Sequence, residues 1–273
     1  MKVILITGAS SGIGYDAAAA LLRLGHKVYG AARRVEKIPD GVVPIKMDIT
    51  SSEDVSSAVK TVLDAEGRLD VLINNAGYGY FGAIENVTLE DARRQMEVNL
   101  FGLAALTREV IPVMRKQGYG RIINVASVAG KANLYFGGWY HVSKFAVEAF
   151  SDALRIELKP FGIDVSIIEP GAIKTDWGPI AADHLEESSR GTAYEEPALR
   201  EAATLRFAYG LNILSKPSVV TRAIVRAVES RRPKARYRMG FGSRTIVWTH
   251  ALLPDKWWDA IVRLGGKLKI GKP

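Results

Sequence analysis

The chain has 273 residues, of which 48% are hydrophobic and 24% charged, and it contains no cysteine. This is the composition of a globular protein with a sizeable core, and it excludes a disulfide scaffold and thiolate metal sites. The net charge of +8 favours an anionic ligand or partner, although a basic surface without a specific ligand accounts for most of these charges.

The N-terminal stretch predicts where the protein resides. Met1 leads directly into a short apolar run, residues 2–7, which is shorter than the core of a secretory signal and has no cleavage site after it. No apolar run approaches the roughly 20 residues that a membrane-spanning helix needs. We therefore expect a cytoplasmic protein, and the lack of cysteine agrees with a reducing compartment.

A strand, a glycine-rich turn and a helix open the chain. The run Val3–Ile6 is typical of a strand buried on both faces of a parallel sheet, and residues 13–24 have the Ala- and Leu-rich composition of a helix. Between them, glycines stand at positions 8, 12 and 14, a Gly-x-x-x-Gly-x-Gly spacing instead of the commoner Gly-x-Gly-x-x-Gly. Glycines let the backbone approach a pyrophosphate, which the helix N-terminus attracts. This context predicts a dinucleotide site.

The end of the second predicted strand, residues 26–32, distinguishes NAD from NADP. An NAD site has Asp or Glu here for the ribose 2′-hydroxyl, whereas an NADP site has a cation for the 2′-phosphate. Arg33 and Arg34 follow the strand, and no carboxylate stands at its tip. Arg33 can form two hydrogen bonds to a phosphate and stack on adenine, and Arg34 is either a second contact or a solvated charge. We predict NADP(H) in preference to NAD(H).

Polar side chains also follow the third and fourth predicted strands, residues 42–47 and 70–74. Asp48 either accepts a hydrogen bond from an adenine amino group or caps the next helix. The run Asn74–Gly77 either ties neighbouring strands together or lines the cofactor crevice. The aromatic loop 78–81 lies near a substrate or packs on the core.

A long helix is predicted for residues 89–117, with Asn99 inside an apolar part of it. A buried amide costs stability unless it is hydrogen-bonded. Asn99 is therefore either a satisfied core amide or a residue that holds a water molecule in a site.

The segment from Ser127 to Lys144 has the composition of an acid–base site. Ser127 follows the apolar strand 121–126, and a Gly-rich loop leads to a helix that begins near Tyr140. Tyr140 and Lys144 are four residues apart, so both side chains lie on one helical face. A free phenol titrates near pH 10, and an adjacent ammonium lowers its pKa. The alternative is an ordinary pair of residues on a solvated helix face.

Strands and helices alternate as far as the strand 163–168, which is followed by Pro170 and Gly171. Elements of these lengths imply βαβ crossovers, and therefore an α/β fold with a doubly wound parallel sheet in three layers, the Rossmann fold. No repeat, linker or domain boundary is visible. We predict a single domain spanning residues 1–273.

Several motifs together resemble those of the short-chain dehydrogenases/reductases in residue type and order. They are Thr7-Gly-x-x-x-Gly-x-Gly14, Asn74-Asn-Ala-Gly77, Asn99, Ser127, Tyr140-x-x-x-Lys144 and Pro170-Gly171. The resemblance is close over residues 2–175. The following residues are more loosely similar to bacterial relatives of the 17β-hydroxysteroid and retinol dehydrogenase branch.

The resemblance implies hydride transfer between a nicotinamide and a carbonyl or alcohol group. Tyr140 would be the general acid or base, Lys144 would lower its pKa and bind the nicotinamide ribose, and Ser127 would donate to the substrate oxygen. Asn99 would hold a water molecule that joins Lys144 to solvent. The implied cofactor-binding residues are Gly8, Ser10, Ser11, Gly12, Ile13, Gly14, Arg33, Arg34, Asp48, Ile49, Asn75, Ala76, Gly77, Tyr140, Lys144, Pro170, Gly171, Ile173 and Thr175.

Residues 172–215 interrupt the alternation of strands and helices where this family has its substrate lid. Large apolar side chains of this segment, and of the loop before Tyr140, either line a pocket or pack the lid or a subunit contact. They are Trp177, Leu205, Phe207, Tyr209, Leu134, Tyr135, Phe136 and Trp139. An apolar pocket favours a lipophilic ketone, aldehyde or alcohol as substrate.

No metal site is predicted. His141, beside Tyr140, is interpreted as a structural ring. His184 and His250 have no partners at metal-ligand spacing.

The C-terminal part is predicted to form a helix at Pro217–Arg231, a strand at 235–239 and a tail at 243–273. The tail combines tryptophans with basic residues at helical spacing, which also occurs in helices that lie on anionic membranes. More often such a tail packs on its own domain or a partner subunit, and we favour this alternative. The residues concerned are Trp248, Trp257, Trp258, Lys256, Arg263, Lys267 and Lys269.

Two other functions compete with the enzyme. A regulator on the same fold would bind NADP(H) without turnover, but the complete set Asn99, Ser127, Tyr140 and Lys144 argues against it. A nucleic-acid or membrane-surface binder is suggested by net charge alone, and we expect no nucleic-acid partner. The family resemblance implies a homodimer or homotetramer formed through the helices near 89–117 and 140–159.

Overall fold

The computed structural model describes residues 1–211 and 213–265, which form seven strands and ten α-helices. The strands are β1 (Val3–Thr7), β2 (Lys27–Ala32), β3 (Val43–Lys46), β4 (Val71–Asn74), β5 (Gly120–Val125), β6 (Ile163–Pro170) and β7 (Arg236–Met239). They build one parallel sheet in the order β3-β2-β1-β4-β5-β6-β7. Every residue of β1 and β4 is buried, which explains their uninterrupted apolar sequences. The predicted doubly wound α/β fold is confirmed.

Helices cover both faces of the sheet. They are α1 (Gly12–Arg23), α2 (Ser52–Glu66), α3 (Leu89–Met96), α4 (Gly102–Gln117), α5 (Gly138–Leu158), α6 (Trp177–Ser189), α7 (Glu195–Gly210), α8 (Pro217–Glu229), α9 (Ser243–Leu252) and α10 (Asp255–Gly265). One hydrophobic core lies between the sheet and α2, α4 and α5, and the other lies between the sheet and α1 and α8. Along β1, Val3 and Leu5 enter the first core and Ile4 enters the second, as the two-residue period of a strand requires.

The strand order reverses between the neighbours β1 and β4. Strands β2 and β3 lie on one side of β1, whereas β5, β6 and β7 continue from β4. In doubly wound sheets the crevice beyond the carboxyl ends of two such strands is where ligands bind. The glycine turn follows β1 and residues 75–77 follow β4, so the fold brings these two motifs to that crevice.

A π-helical turn at Glu97–Phe101 separates α3 from α4, in the region predicted to be one continuous helix. A π turn widens the helix locally and frequently occurs at functional sites. Asn99 lies within it and is buried. The irregularity therefore coincides with the polar residue that the sequence identified.

After β6, the chain forms the helix pair α6 and α7 before returning to the sheet through α8 and β7. Pro217 stands at the start of α8, as predicted, where its missing N–H costs no hydrogen bond. The helices α6 and α7 pack against each other and against aromatic side chains near Tyr140. This pair occupies most of the segment predicted as a lid.

The helices α9 and α10 form the described part of the tail. Trp258 is buried, and its Nε1 donates to the Asn133 carbonyl at 3.0 Å, so the tail packs on its own domain. Trp248 and Trp257 are exposed. Lys267 and Lys269 lie outside the described residues. Among residues 1–211 and 213–265, none of the helices combines the length and the apolar character that crossing a membrane requires.

Candidate active site

Hydrogen bonds from Thr7 tie the ends of β1 and β4 together beneath the crevice. The Thr7 hydroxyl accepts from the backbone N–H groups of Asn75 and Ala76 at 3.0 and 2.9 Å. The Asn75 side-chain amide in turn donates to the Thr7 carbonyl at 2.9 Å. The other asparagine, Asn74, donates to Asn124 of β5 at 2.9 Å. Both alternatives for this pair therefore occur, because Asn74 links two strands and Asn75 borders the crevice.

The turn after β1 requires glycine for reasons of backbone geometry and space. Gly8 and Gly12 have φ angles of +69° and +54°, which side chains with a Cβ rarely adopt. A Cβ at Gly14 would lie 2.3 Å from the Gly8 carbonyl oxygen and 2.4 Å from the Asn75 amide nitrogen. Helix α1 can therefore approach the end of β1 only with glycine at this position.

The start of α1 can bind an anionic group. Ser11 and Gly12 are exposed, and within the described residues the Ser11 side chain makes no capping hydrogen bond to the first N–H groups of the helix. The first N–H groups of α1 therefore have no side-chain cap, and they lie at the positive end of the helix dipole. Ser10 and Ile13 are adjacent to them in sequence. Thr175 lies opposite, since a Cβ on Gly12 would be 3.6 Å from its methyl carbon. The donor set fits a dinucleotide pyrophosphate.

Arg33 lies at the end of β2, exposed and close to the other crevice residues. The hydrogen bonds from Thr50 lower the pKa of Asp48, and the positive charge of Arg33 lowers it further. Burial raises the pKa of Tyr78, and the charge of Arg33 opposes that shift. Neither Arg33 nor the adjacent, exposed Arg34 forms an ion pair with any carboxylate of the described chain. Arg33 is therefore free to bind a phosphate.

The suggestion that Asp48 caps the next helix is wrong. Its carboxylate accepts from the N–H and hydroxyl of Thr50 at 3.0 and 2.8 Å, which closes a local turn. The cap of α2 is Ser51, whose hydroxyl accepts from the Asp54 N–H at 3.2 Å. Asp48 and the neighbouring, buried Ile49 remain at the edge of the crevice.

The end of β6 forms the far wall of the crevice. Gly171 allows a close approach of two backbone segments, because a Cβ there would lie 2.3 Å from the Phe241 carbonyl oxygen. Ile173 is buried, and the Ser127 hydroxyl lies 3.5 Å from the Pro170 carbonyl. The predicted residues Pro170, Gly171 and Ile173 thus stand between β7 and the serine.

Asn99 is fully hydrogen-bonded within the site. Its side-chain oxygen accepts from the Tyr78 N–H at 3.0 Å, and its amide donates to the Tyr78 carbonyl at 2.9 Å and to the Ser143 hydroxyl at 3.0 Å. A Cβ on Gly77 would lie 3.1 Å from the Asn99 oxygen and 3.6 Å from the Lys144 Nζ. Glycine at this position therefore keeps open the space between the amide and the amine.

Lys144 is buried below Tyr140 on the same face of α5. Its Nζ donates to the Val125 carbonyl at 3.0 Å and lies 5.9 Å from the centre of the Tyr140 ring. Burial lowers the pKa of Lys144 to about 8, and the field of Glu148 opposes this shift. The two side chains share one face, as predicted, but the amine does not contact the phenol directly.

Lys144 does not by itself lower the pKa of Tyr140, and the expected lowering also required the positive charge of an oxidised nicotinamide. Burial raises the pKa of Tyr140 to about 12, and the hydrogen bond with Ser127 opposes this only in part. The cause is an aromatic cover, which leaves the ring 8% exposed. Phe81 and Trp177 lie 5.9 and 5.1 Å from the Tyr140 ring, centroid to centroid.

The aromatic cover joins the lid to the loop after β4. Trp177 contacts both Phe81 and Tyr209, at centroid distances of 5.5 and 6.1 Å, and Gly79 leaves room for its indole ring. Of the predicted apolar residues, Tyr135, Phe136 and Leu205 belong to this cluster. Phe207 and Leu134 are exposed and do not belong to it.

His141 has a structural role. Its Nδ1 lies 2.9 Å from the Ala129 carbonyl, and its Nε2 accepts from the Leu134 N–H at 2.9 Å. The ring therefore braces the loop between Ser127 and Tyr140, and burial lowers its pKa. Across residues 1–211 and 213–265, no group of three His, Asp or Glu side chains could hold a metal ion.

Sequence reasoning missed three contributors to the site. Thr7 is part of the glycine motif. Its hydrogen bonds with Asn75 and Ala76 could be predicted only from the strand order, which places β1 beside β4. Ser143, which bonds Asn99 and the Tyr140 carbonyl, lies inside the Tyr-x-x-x-Lys motif without a distinguishing feature. Glu148 gave a signal that was overlooked, since it follows Lys144 by four residues on the same helical face.

A dinucleotide crevice beside a buried Tyr–Lys pair defines a nicotinamide-dependent oxidoreductase. The sequence model described as short chain dehydrogenase matches residues 2–184. The chain therefore belongs to the short-chain dehydrogenases/reductases, which bind NAD(P) and act on CH–OH and C=O groups.

Relatives and solved structures support this membership. A probable short-chain type dehydrogenase/reductase of Helicobacter pylori is 34% identical over 95% of this chain and 96% of its own. A 3-ketodihydrosphingosine reductase of Bacteroides thetaiotaomicron is 44% identical over 64% of this chain and 65% of its own.

Among solved structures, a short-chain dehydrogenase of Streptomyces avermitilis has a TM-score of 0.78 at 33% identity, covering 96% and 97% of the two chains. A short chain dehydrogenase of Burkholderia cenocepacia in complex with NADP has a TM-score of 0.72 at 27% identity, with 96% and 97% covered. A 3-ketoacyl-(acyl-carrier-protein) reductase of Brucella melitensis complexed with NADH has a TM-score of 0.70 at 29% identity, with 86% and 92% covered.

Proposed function

We propose that this protein is an NADP(H)-dependent oxidoreductase that interconverts a carbonyl and an alcohol on a lipophilic small molecule. The observation that carries the proposal is the position of Tyr140. Its phenol lies between an aromatic cover and the buried amine of Lys144, next to Ser127 and beside the dinucleotide crevice. Tyr140 as proton donor, Ser127 as hydrogen-bond donor and a nicotinamide in the crevice would therefore all adjoin the reacting carbonyl group.

The preference for NADP(H) rests on Arg33. Its guanidinium is exposed at the end of β2 and close to Asp48, where a ribose 2′-phosphate would lie. The structural neighbours include complexes with NADP and with NADH, so the choice depends on the residues of this chain. Gly8 to Gly14 would hold the pyrophosphate, and Asn75, Gly77, Pro170, Gly171 and Thr175 the nicotinamide half.

In reduction, bound NADPH would supply the hydride, and the side chains would manage the proton. The raised pKa keeps Tyr140 protonated at neutral pH, the state that a general acid needs. Ser127 would donate a hydrogen bond to the carbonyl oxygen as charge develops there. Lys144 would bind the nicotinamide ribose. The Asn99 side-chain oxygen, which accepts one hydrogen bond from the Tyr78 N–H, would accept a second from a water molecule near Gly77 that returns a proton from solvent. Oxidation would use these groups in reverse.

The aromatic cover supports a lipophilic substrate. Phe81 and Trp177 pack against the Tyr140 ring, and Phe136 and Tyr209 extend this apolar surface. Trp177 of α6 and Tyr209 of α7 belong to the proposed lid (residues 172–215). The relative from Bacteroides thetaiotaomicron is a 3-ketodihydrosphingosine reductase, a name that denotes a long apolar ketone. We propose a ketone with an extended apolar group as the substrate class.

A panel of carbonyl compounds tests this function directly. NADPH oxidation is followed at the nicotinamide absorbance with apolar ketones and aldehydes, and each is paired with a short polar compound that carries the same carbonyl group. We expect turnover of the apolar members with a lower KM than that of their polar partners. No turnover of any member, or a preference for the polar ones, would contradict the proposal.

A regulator that binds NADP(H) without turnover is the second candidate, because Tyr140 is nearly covered by its neighbours.

The partners proposed for the enzyme are the small-molecule substrate and further copies of the chain. Exposed apolar side chains on α5, such as Val142, Phe145 and Ile156, support a homo-oligomer. We propose the cytoplasm as its location. Vesicle co-sedimentation tests the competing possibility that the exposed Trp248 and Trp257 attach the protein to a membrane.

A further inference from the structure

A buried network of charges lies directly behind the candidate site. Its two carboxylates, Glu148 of α5 and Glu169 of β6, have side-chain exposures of 4% and 0%. Glu148 accepts from Lys131 at 2.8 Å and from Arg236 at 3.1 Å, and Glu169 accepts from Arg238 at 2.7 Å. The network therefore joins α5 to the loop after Ser127, to the end of β6 and to β7.

Glu148 lies one helical turn beyond Lys144 and two beyond Tyr140, on the same face of α5. The Lys144 amine is buried, and no carboxylate of the described residues forms an ion pair with it. One oxygen of Glu148 accepts from Lys131 and Arg236, whereas the other has no hydrogen-bond partner in the described chain. A buried cation and a buried carboxylate with an unused oxygen are thus consecutive on one face.

We infer that Glu148 is a positioning residue whose carboxylate keeps the Lys144 side chain charged inside the protein, an inference that rests on the proposed function. An ammonium loses hydration on burial, and a carboxylate about one turn away compensates for part of that loss. A neutral amine would form a weaker hydrogen bond with a ribose hydroxyl and would no longer attract charge that develops on Tyr140.

Burial and charged neighbours together determine the pKa values of Lys144 and Glu148. Burial lowers the pKa of Lys144 to about 8, and Glu148 raises it. Burial raises the pKa of Glu148, as does Glu169 of β6, whereas Lys131 and Arg236 of β7, which bind the carboxylate directly, lower it and so favour its ionised form. Without the Glu148 charge, the Lys144 ammonium would lose its proton at a lower pH.

Asp152 provides a matched control. It lies on α5 one turn beyond Glu148 and binds the same Arg236 at 2.6 Å, but it is two turns from Lys144. The variants Glu148→Gln and Asp152→Asn each replace a carboxylate by an amide of the same shape. If Glu148 served only to anchor Arg236, both variants would behave alike.

The titration of Lys144 is measured by NMR on the full chain with isotope-labelled lysine, and its signal is assigned by its loss in Lys144→Met. Glu148→Gln is expected to move the titration to lower pH, and Asp152→Asn to leave it in place. An unchanged titration in Glu148→Gln, or an equal shift in both variants, overturns the inference. Glu148→Met, which removes the charge and keeps a side chain of similar volume, serves if Glu148→Gln does not fold. It is expected to move the Lys144 titration to lower pH, and no shift overturns the inference.

Activity measurements separate this inference from the proposed function. With a substrate from the panel, the ratio of kcat/KM at about pH 8 to that at about pH 6 should fall roughly three- to tenfold in Glu148→Gln. An unchanged ratio contradicts the inference. A shifted Lys144 titration without turnover of any carbonyl compound contradicts the proposed function and leaves the electrostatic link intact.

Discussion

The ring of Trp177 lies 5.1 Å from the ring of Tyr140, centroid to centroid, and the hydroxyl-bearing ring beneath it is 8% exposed. Trp177 is the first residue of α6, directly after the chain leaves the crevice at Thr175. A side chain of the proposed lid therefore forms, together with Phe81, the cover that limits how much water reaches Tyr140. The same side chain lies where an apolar substrate would enter.

Replacing Trp177 by alanine tests this relationship. Removal of the indole is expected to admit water to Tyr140 and so to lower its pKa, which burial raises to about 12. In the oxidation direction, where Tyr140 acts as a base, the rise of kcat with pH should move to lower pH. We also expect a loss of about 2–3 kcal/mol of unfolding free energy, measured by urea denaturation. Phe207→Ala, in the exposed part of α7, is the control and should change neither quantity.

Arg33 is expected to determine the cofactor preference. Arg33→Ala removes a charge-assisted contact worth roughly 1.5–3 kcal/mol, so the Kd for NADPH should rise about ten- to a hundredfold. The Kd for NADH, which has no 2′-phosphate, should change little. Nicotinamide fluorescence measures both values, and Arg34→Ala, at the second candidate contact, should raise the Kd for NADPH less than Arg33→Ala does. An equal loss of both cofactors in Arg33→Ala would contradict the assignment.

We expect that the buried Lys144 ammonium lowers the free energy of unfolding although the enzyme needs it for activity. Its pKa falls from 10.5 to about 8 on burial, which corresponds to a cost of about 3 kcal/mol for holding its charge in the folded state. The unfolded chain binds this proton below pH 10.5 and the folded chain only below pH 8, so the cost is complete below pH 8 and vanishes as the pH rises to 10.5. Lys144→Met should therefore be inactive but more stable by roughly 1–3 kcal/mol at neutral pH. Denaturation at pH 7 and about pH 10 checks the sign, and a variant less stable at both contradicts it.

The sequence predicted the sheet and the crevice because local patterns determine them. Continuous apolar runs such as Val3–Ile6 are typical of strands buried on both faces, and the strands end at turns marked by Gly8 or Asn75. The four-residue spacing of Tyr140 and Lys144 places both side chains on one helical face. These features need no knowledge of distant contacts.

The parts that sequence could not predict depend on packing between distant segments. The pKa of Tyr140 rises because Phe81 and Trp177, far apart in the chain, close over it. The π turn around Asn99 arises inside a sequence with ordinary helical spacing. Asp48 and Ser51 are both good caps by residue type, and only the path of the backbone selects Ser51.

The most direct test of the account is the Tyr140→Phe variant, measured for both turnover and cofactor binding. The substitution removes one hydroxyl and keeps the ring that packs on Phe81 and Trp177, so the fold and the Kd for NADPH should be unchanged. We expect kcat for carbonyl reduction to fall by about a hundredfold or more, since the proton donor is lost. A Tyr140→Phe variant that binds NADPH normally and reduces the substrate at the wild-type rate would contradict the assignment of this phenol as the acid.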